Sequence, residues 1–380
     1  MKVMASRRWR SRVGVVGAAA LTMSLAACGG SSSSAPASSS AAAPSAAAPS
    51  AAAPSAAASG GAAADCPTAG QALALGISVP ALDTPFFSAL INAATNAAKD
   101  QGGSVVQTAN ANRDAGQQVT DFRNLISAGA NAIMAGVVDR EAIKPALDYA
   151  KEKGVPVVVV DDQPGQGDVA GVVKADNLGM GTTAAETMAK LLPNGGTVLA
   201  ISGDLKTAIG RDRKEGFAKK IAEVAPNIKV IDQTADWNGP KSGDVMTTVL
   251  SQTPDLAGIY LATDTLYLDP VLAALKARKR LVPAGTDGHV AIVAIDGGVG
   301  AHQAIRDGFL DATISQPVTD YGKYGSAALV SALNCQALAE GATDHQSTIV
   351  ADGNYLVDLL PAPVVAKDNV DDPTFWGNAK

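Results

Sequence analysis

Carboxylates, amides, an arginine and aromatic rings recur in this sequence just after short apolar runs. Asp83-Thr84-Pro85-Phe86-Phe87 follows the first run, Asp161-Asp162-Gln163 a later one, and Ala175-Asp176-Asn177 the next. Arg211, Trp237, Thr263-Asp264, Asp296-Gly297-Gly298 and Gln316 hold comparable places further on. Together these groups suit a polyhydroxylated ligand: carboxylates, amides and a guanidinium fork meet hydroxyls, and aromatic faces meet the apolar C–H side of a sugar ring. Aromatic residues are only 4% of the chain. Trp237 stands among Asp236, Asn238, Gly239 and Pro240, a loop composition, so its ring is expected to serve a ligand.

The runs that position these residues alternate in a regular rhythm. Ala72–Val79, Ser104–Thr108, Ala132–Ala135 and Val155–Val160 have the length and uniform apolarity of buried strands. Between them, Phe86–Gln101, Ala115–Ala128 behind Asp114 and Arg140–Lys153 behind Asp139 carry helical spacing. A second series has strands near Val172, Val198–Ser202, Ile228–Ile231, Ile259–Leu261 and Ile292–Ile295, with helices from about Asn177, Ile209, Lys241, Thr265 and Ala301. Strands apolar on both faces imply parallel sheets covered by helices, hence two α/β units. In such sheets ligands bind beyond the carboxyl ends of the strands, where the polar groups above fall.

Catalysis is not expected. His289, His302 and His345 lack metal-ligand spacing, and there is no Gly-x-Ser-x-Gly elbow or phosphate-binding Walker loop. Gly297-Gly298-Val299-Gly300 follows a strand but lacks the third glycine of a dinucleotide fingerprint. Asp161 and Asp296 could pair as in a glycosidase, but serve better as hydroxyl acceptors. No metal or cofactor is implied.

The N-terminus has its own logic. Lys2, Arg7, Arg8, Arg10 and Arg12 precede an apolar stretch, Val13–Leu25, too short to span a bilayer, and Leu25-Ala26-Ala27-Cys28 has the form of a lipoprotein-processing box. Residues 1–27 therefore read as a signal peptide, with Cys28 as the lipidated residue and acyl chains as the membrane anchor. From Gly29 to Ala64 the chain is almost entirely Ala, Pro and Ser, with a repeat that puts prolines at 44, 49 and 54, so 28–65 reads as a disordered tether reaching about 110 Å if fully polyproline-like or roughly 35 Å as a flexible coil. Removing 1–27 takes away five positive charges and moves the formal net charge from −6 to about −11, which disfavours nucleic acid as a partner. A helix-turn-helix would be needed ahead of the body in a repressor, and the tether occupies that place. Cys66 and Cys335 either pair as a disulfide or remain as two thiols.

Taken in order, Thr-Pro-Phe-Phe at 84–87, Gly-Val-Pro-Val-Val-Val-Val-Asp at 154–161, Ala-Asp-Asn at 175–177, Arg-Asp-Arg-Lys-Glu-Gly-Phe at 211–217, Ala-Ile-Asp-Gly at 294–297 and Ala-Thr-Ile-Ser-Gln at 312–316 resemble the ribose/galactose-type periplasmic binding proteins of ABC transporters. The resemblance implies two doubly wound parallel-sheet lobes, joined by three crossovers near Lys174, Gln316 and Ala351, that close on a sugar or polyol and deliver it to a permease. It implies a monomer, with residues 66–174 and 317–350 in the N-terminal lobe, 175–316 and 351–370 in the C-terminal lobe, and a tail from 371. A membrane sensor is an alternative partner. Phe86, Phe87 and Trp237 would stack on the ring, while Asp161, Asn177, Arg211, Asp296 and Gln316 would bind hydroxyls. Thr84 and Thr263 stand where asparagine is common, Gly136 replaces a further asparagine, and Asp162 replaces an arginine. The resemblance thus implies a pocket roomier and more acidic than a ribose site, fit for another pentose, a hexose or a sugar alcohol.

Overall fold

A computed structural model describes residues 66–378; Cys28 and the 28–65 segment lie outside the described residues. The chain first alternates strand and helix: β1 (Ala74–Val79), α1 (Pro85–Asp100), β2 (Ser104–Asn110), α2 (Ala115–Ser127), β3 (Ala132–Ala135), α3 (Lys144–Glu152), β4 (Val157–Val160) and β5 (Gly171–Ala175). These strands pair in parallel. A second α/β run follows as α4 (Asn177–Leu191), β6 (Gly196–Ser202), α5 (Ala208–Val224), β7 (Ile228–Thr234), α6 (Gly239–Gln252), β8 (Gly258–Leu261), α7 (Asp264–Ala277), β9 (Ala291–Asp296), α8 (Val299–Asp307) and β10 (Ala312–Ser315). The chain then returns through α9 (Val318–Leu333), β11 (Gly341–Ala342), β12 (Thr348–Asp352) and β13 (Tyr355–Leu360), and ends with β14 (Val364–Ala366) and a 3-10 turn, Trp376–Asn378.

Two sheets result. One has the order β11-β12-β13-β5-β4-β3-β1-β2, the other β14-β10-β9-β8-β6-β7. Both are mostly parallel, with antiparallel pairing confined to β11–β12, β12–β13 and β10–β14. All four residues of β3, β4, β8 and β10 are buried, as their unbroken apolar character requires. Burying each valine of β4 contributes about 1.5 kcal/mol or more.

Several sequence expectations shift. The strand near Val172 belongs to the first sheet, paired with β4, and does not open the second unit. The third crossover does not lie near Ala351: β13 pairs with β5 in the first sheet, so the chain crosses only at 361–363. Residues 351–360 therefore complete the first lobe, and β14 alone adds to the second sheet. Within the stretch read as a tail, residues 371–378 are described and Trp376 is buried. α3 starts four residues later than its spacing suggests: Asp139 Oδ1 accepts from the Glu141 and Ala142 N–H groups in a preceding turn, and Pro145 sits in the helix's first turn.

Cys66 and Cys335 are joined by a disulfide, with Cα atoms 5.9 Å apart. The bond links the chain just before β1 to the residue that follows the last turn of α9, both in the first lobe.

Candidate functional site

The carboxyl ends of the two sheets carry the polar residues singled out above, and three connections bring them together. After β5 the chain enters α4, which packs on α5 through two glycines. A Cβ on Gly181 would lie 2.3 Å from the Arg213 carbonyl oxygen, and one on Gly216 would lie 2.1 Å from the Leu178 carbonyl oxygen. Only glycine allows this approach, and it places Asn177, at the start of α4, beside Arg213 on α5.

Arg213 is the centre of the second lobe's wall. It is 2% exposed; its Nε donates to Asn177 Oδ1 (2.9 Å), and its Nη1 donates to the Ala262 carbonyl (2.7 Å) and to Asp296 Oδ1 (3.1 Å). Asp296 is held from four sides. Oδ1 also accepts from Gln316 Nε2 (3.2 Å), and Oδ2 accepts from Thr263 Oγ1 (2.5 Å) and Thr265 Oγ1 (3.0 Å). Four donors use the capacity of one carboxylate. Gln316 Oε1 in turn accepts from Tyr321 Oη (2.6 Å), whose oxygen accepts from the Ala175 N–H (3.0 Å). Burial works against the Arg213 charge, but Asp296 and Asp161 outweigh it and hold its pKa above the ordinary value. Neighbouring Asp264 accepts from the Gly297 and Gly298 N–H groups and from Thr313 Oγ1, so it caps the turn into α8 and not its own helix. Burial, followed by the charge of Asp296, raises its pKa.

The first lobe presents Asp161 at the end of β4. Its backbone adopts φ 71°, a conformation costly for a non-glycine residue. Asp161 Oδ1 is buried without a protein hydrogen-bond partner, and so is Arg213 Nη2. Burial pushes the Asp161 carboxyl up to about 7, Arg213 pulls it down, and Asp162 and Asp296 add to the rise. An unpaired acceptor from one lobe and an unpaired donor from the other are thus enclosed where the lobes meet.

Aromatic rings frame this region. Phe86 is buried with its ring edge-on to Phe87 (5.1 Å between centroids), Tyr321 (6.4 Å) and Trp376 (6.2 Å). Asn177, Thr263, Asp296 and Gln316 come together as one network, with Asp161 and Phe86 across from them. Thr84 instead caps α1, accepting from the Phe86 N–H (3.1 Å). Asp162 Oδ1 is taken by the Gln163 N–H (2.8 Å). Arg211 is the main correction: its Nη1 donates to the Leu205 and Lys206 carbonyls at the surface (2.9 Å each). Trp237 lies at the end of β7, its ring over Gly203, its N–H on Tyr267 Oη (2.8 Å) and its indole nitrogen 3.4 Å from Thr207 Oγ1, outside the Arg213 network. Nor does Gly136 open extra room, since a Cβ there would lie 2.9 Å from Pro80 Cδ.

Arg213, Thr265, Tyr321 and Trp376 complete the arrangement without having been singled out in the sequence. Arg213 was legible in principle: it lies on one stripe with Phe217 and Ile221, four and eight residues on, whereas Arg211 is turned about 200° from it on the helix.

The chain thus combines a two-lobed α/β fold with complementary unpaired groups enclosed between its sheets. Residues 75–337 match the family model described as periplasmic binding protein domain, and the chain belongs to that family. It is 31% identical over 254 residues to the ribose import binding protein of Bacillus subtilis (strain 168), covering 67% of this chain and 79% of that protein. Among solved structures, an ABC transporter solute binding protein from Mycobacterium smegmatis with bound glycerol is 27% identical with a TM-score of 0.67, covering 79% of this chain and 96% of its own. One from Bacillus halodurans with bound myo-inositol shares the fold at 21% identity and a TM-score of 0.67, covering 80% and 99%.

Proposed function

We propose that this protein is an extracytoplasmic solute-binding protein that captures a sugar or polyol between its lobes and delivers it to an ABC importer, held at the membrane through lipidated Cys28. The observation that carries the ligand class is the pair of buried, unpartnered groups, Asp161 Oδ1 and Arg213 Nη2. A neutral polyol satisfies both at once, because each hydroxyl donates and accepts, and its apolar face suits the aromatic frame. An anionic ligand would meet Asp161 and a cationic one Arg213. The names of the relatives, which include ribose, D-allose and D-apiose import or binding proteins, support the same class.

A thermal-shift screen over pentoses, hexoses, myo-inositol and glycerol tests this reading. The cognate solute at a hundredfold excess over its Kd stabilises by about 2.7 kcal/mol, and Asp161→Asn abolishes the shift. If no carbohydrate or polyol raises the melting temperature, the ligand class is wrong. Fractionation tests the anchor: Cys28→Ser moves the protein from the membrane to the soluble fraction, and retention at the membrane would refute lipidation there.

A further inference from the structure

The glycine-rich turn after β9 seats the C-terminal segment. A Cβ on Gly377 would lie 2.5 Å from the Gly297 carbonyl oxygen, and one on Gly298 would lie 3.5 Å from Trp376 Cη2. Trp376 Nε1 donates to the Asp296 carbonyl oxygen (2.8 Å), which also accepts from the Gln316 N–H (2.9 Å). That residue has φ 123°, outside the usual range for an aspartate. Beyond the tryptophan, Asn378 Oδ1 accepts from Arg306 Nη2 (2.8 Å) and lies 3.0 Å from His302 Nδ1, so the end of the segment is pinned to α8. The indole ring, 5% exposed, then reaches Phe86 in the other lobe, edge-on at 6.2 Å.

From this geometry we propose that Trp376 is a positioning residue of the cleft: it props the strained Asp296 backbone from behind and clasps the two lobes together through Phe86. The segment lies beyond residues 75–337, so the family match assigns it no role. A side chain that only filled the second lobe's core would need neither the hydrogen bond to the strained peptide nor a contact across the lobes. The clasp rests on the interlobe cleft being the binding site, but its central test needs no ligand.

That test is a double-mutant cycle of Phe86→Ala and Trp376→Ala in the full chain, followed by thermal unfolding, with Phe86→Leu and Trp376→Phe as the milder pair where an alanine variant does not fold. An interlobe clasp gives a coupling of roughly three- to tenfold in the unfolding equilibrium. Additivity within about twofold overturns it. Titration with ribose, D-allose, myo-inositol and glycerol supplies the second readout. For whichever of these binds the wild type, Trp376→Ala weakens affinity roughly tenfold and Trp376→Phe restores part of it; unchanged affinity in Trp376→Ala overturns the positioning role. If none of the four binds the wild type, the proposed ligand class is called into question, and the double-mutant cycle alone decides the clasp.

Discussion

On the second lobe's wall every lone pair of Asp296 is occupied, by Arg213, Gln316, Thr263 and Thr265, whereas on the first lobe's wall Asp161 keeps an oxygen with no protein donor. The two acids stand at equivalent strand ends, β9 and β4, yet only one has both oxygens taken by protein donors. Asp296 is a hub that fixes donors in place, and the guanidinium it orients keeps its Nη2 buried without a protein acceptor. Asp161 is the group whose ionisation a ligand hydroxyl would stabilise. The lobes also differ in how they are fastened. The first is tied by the Cys66–Cys335 bond, the second by the noncovalent strap that ends in Trp376 and Asn378.

The sharpest way to break the contrast is Arg213→Met. It strips the buried Asp296 and Asn177 of their partner, and thermal unfolding should show a loss of about 3–5 kcal/mol together with loss of solute binding. A variant that is as stable as the wild type would mean that the second wall is not wired as described. Next in size, Cys335→Ser should cost about 2–4 kcal/mol while leaving affinity nearly unchanged, since the bond lies by the amino end of β4 and Asp161 follows the strand's opposite end. A large fall in affinity would show that the fastening reaches the cleft.

Asp161→Asn should act in the opposite direction on stability, raising it by about 1–3 kcal/mol at neutral pH while abolishing binding. The sign follows from the raised carboxyl. Below about pH 4 both folded and unfolded states hold the proton and there is no penalty; as pH rises toward 7 the unfolded state ionises first, so stability is lost across that window and stays lost above it. Unfolding scans from pH 4 to 8 should show this slope in the wild type and a flatter one in the variant. Equal slopes would mean that Asp161 ionises without strain. Smallest of all, Arg211→Ala should change stability by less than about 0.5 kcal/mol and leave binding intact. A loss matching that of Arg213→Met would reverse the assignment of the two arginines.

That pair also shows how far the sequence could be read. The α/β rhythm, the two sheets and most strands were legible because uniformly apolar runs such as Val157–Val160 leave few alternatives. Asn177, Asp296 and Gln316 were legible because residues after parallel strands converge. Arg211 was misplaced because both arginines share one motif, and only the helical phase of Phe217 and Ile221 separates them. Thr84 could not be told from a ligand group, since a threonine before Pro-Phe-Phe fits a helix cap equally well. The return of β13 to the first sheet, and of Trp376 to the cleft, depends on pairings far apart in the chain that no local pattern encodes.

The late crossover has a consequence for the order of events as the chain is made. Synthesis proceeds from the N-terminus, yet the first sheet lacks β11–β13 and the second lacks β14 until the residues from 341 onward have emerged. Trp376, which packs against Phe86, emerges later than all of these strands. Both lobes therefore stay unfinished until residues 341–376 emerge and are completed together by that stretch, so removal of Trp376 and its neighbours should be felt in the lobe that was begun first.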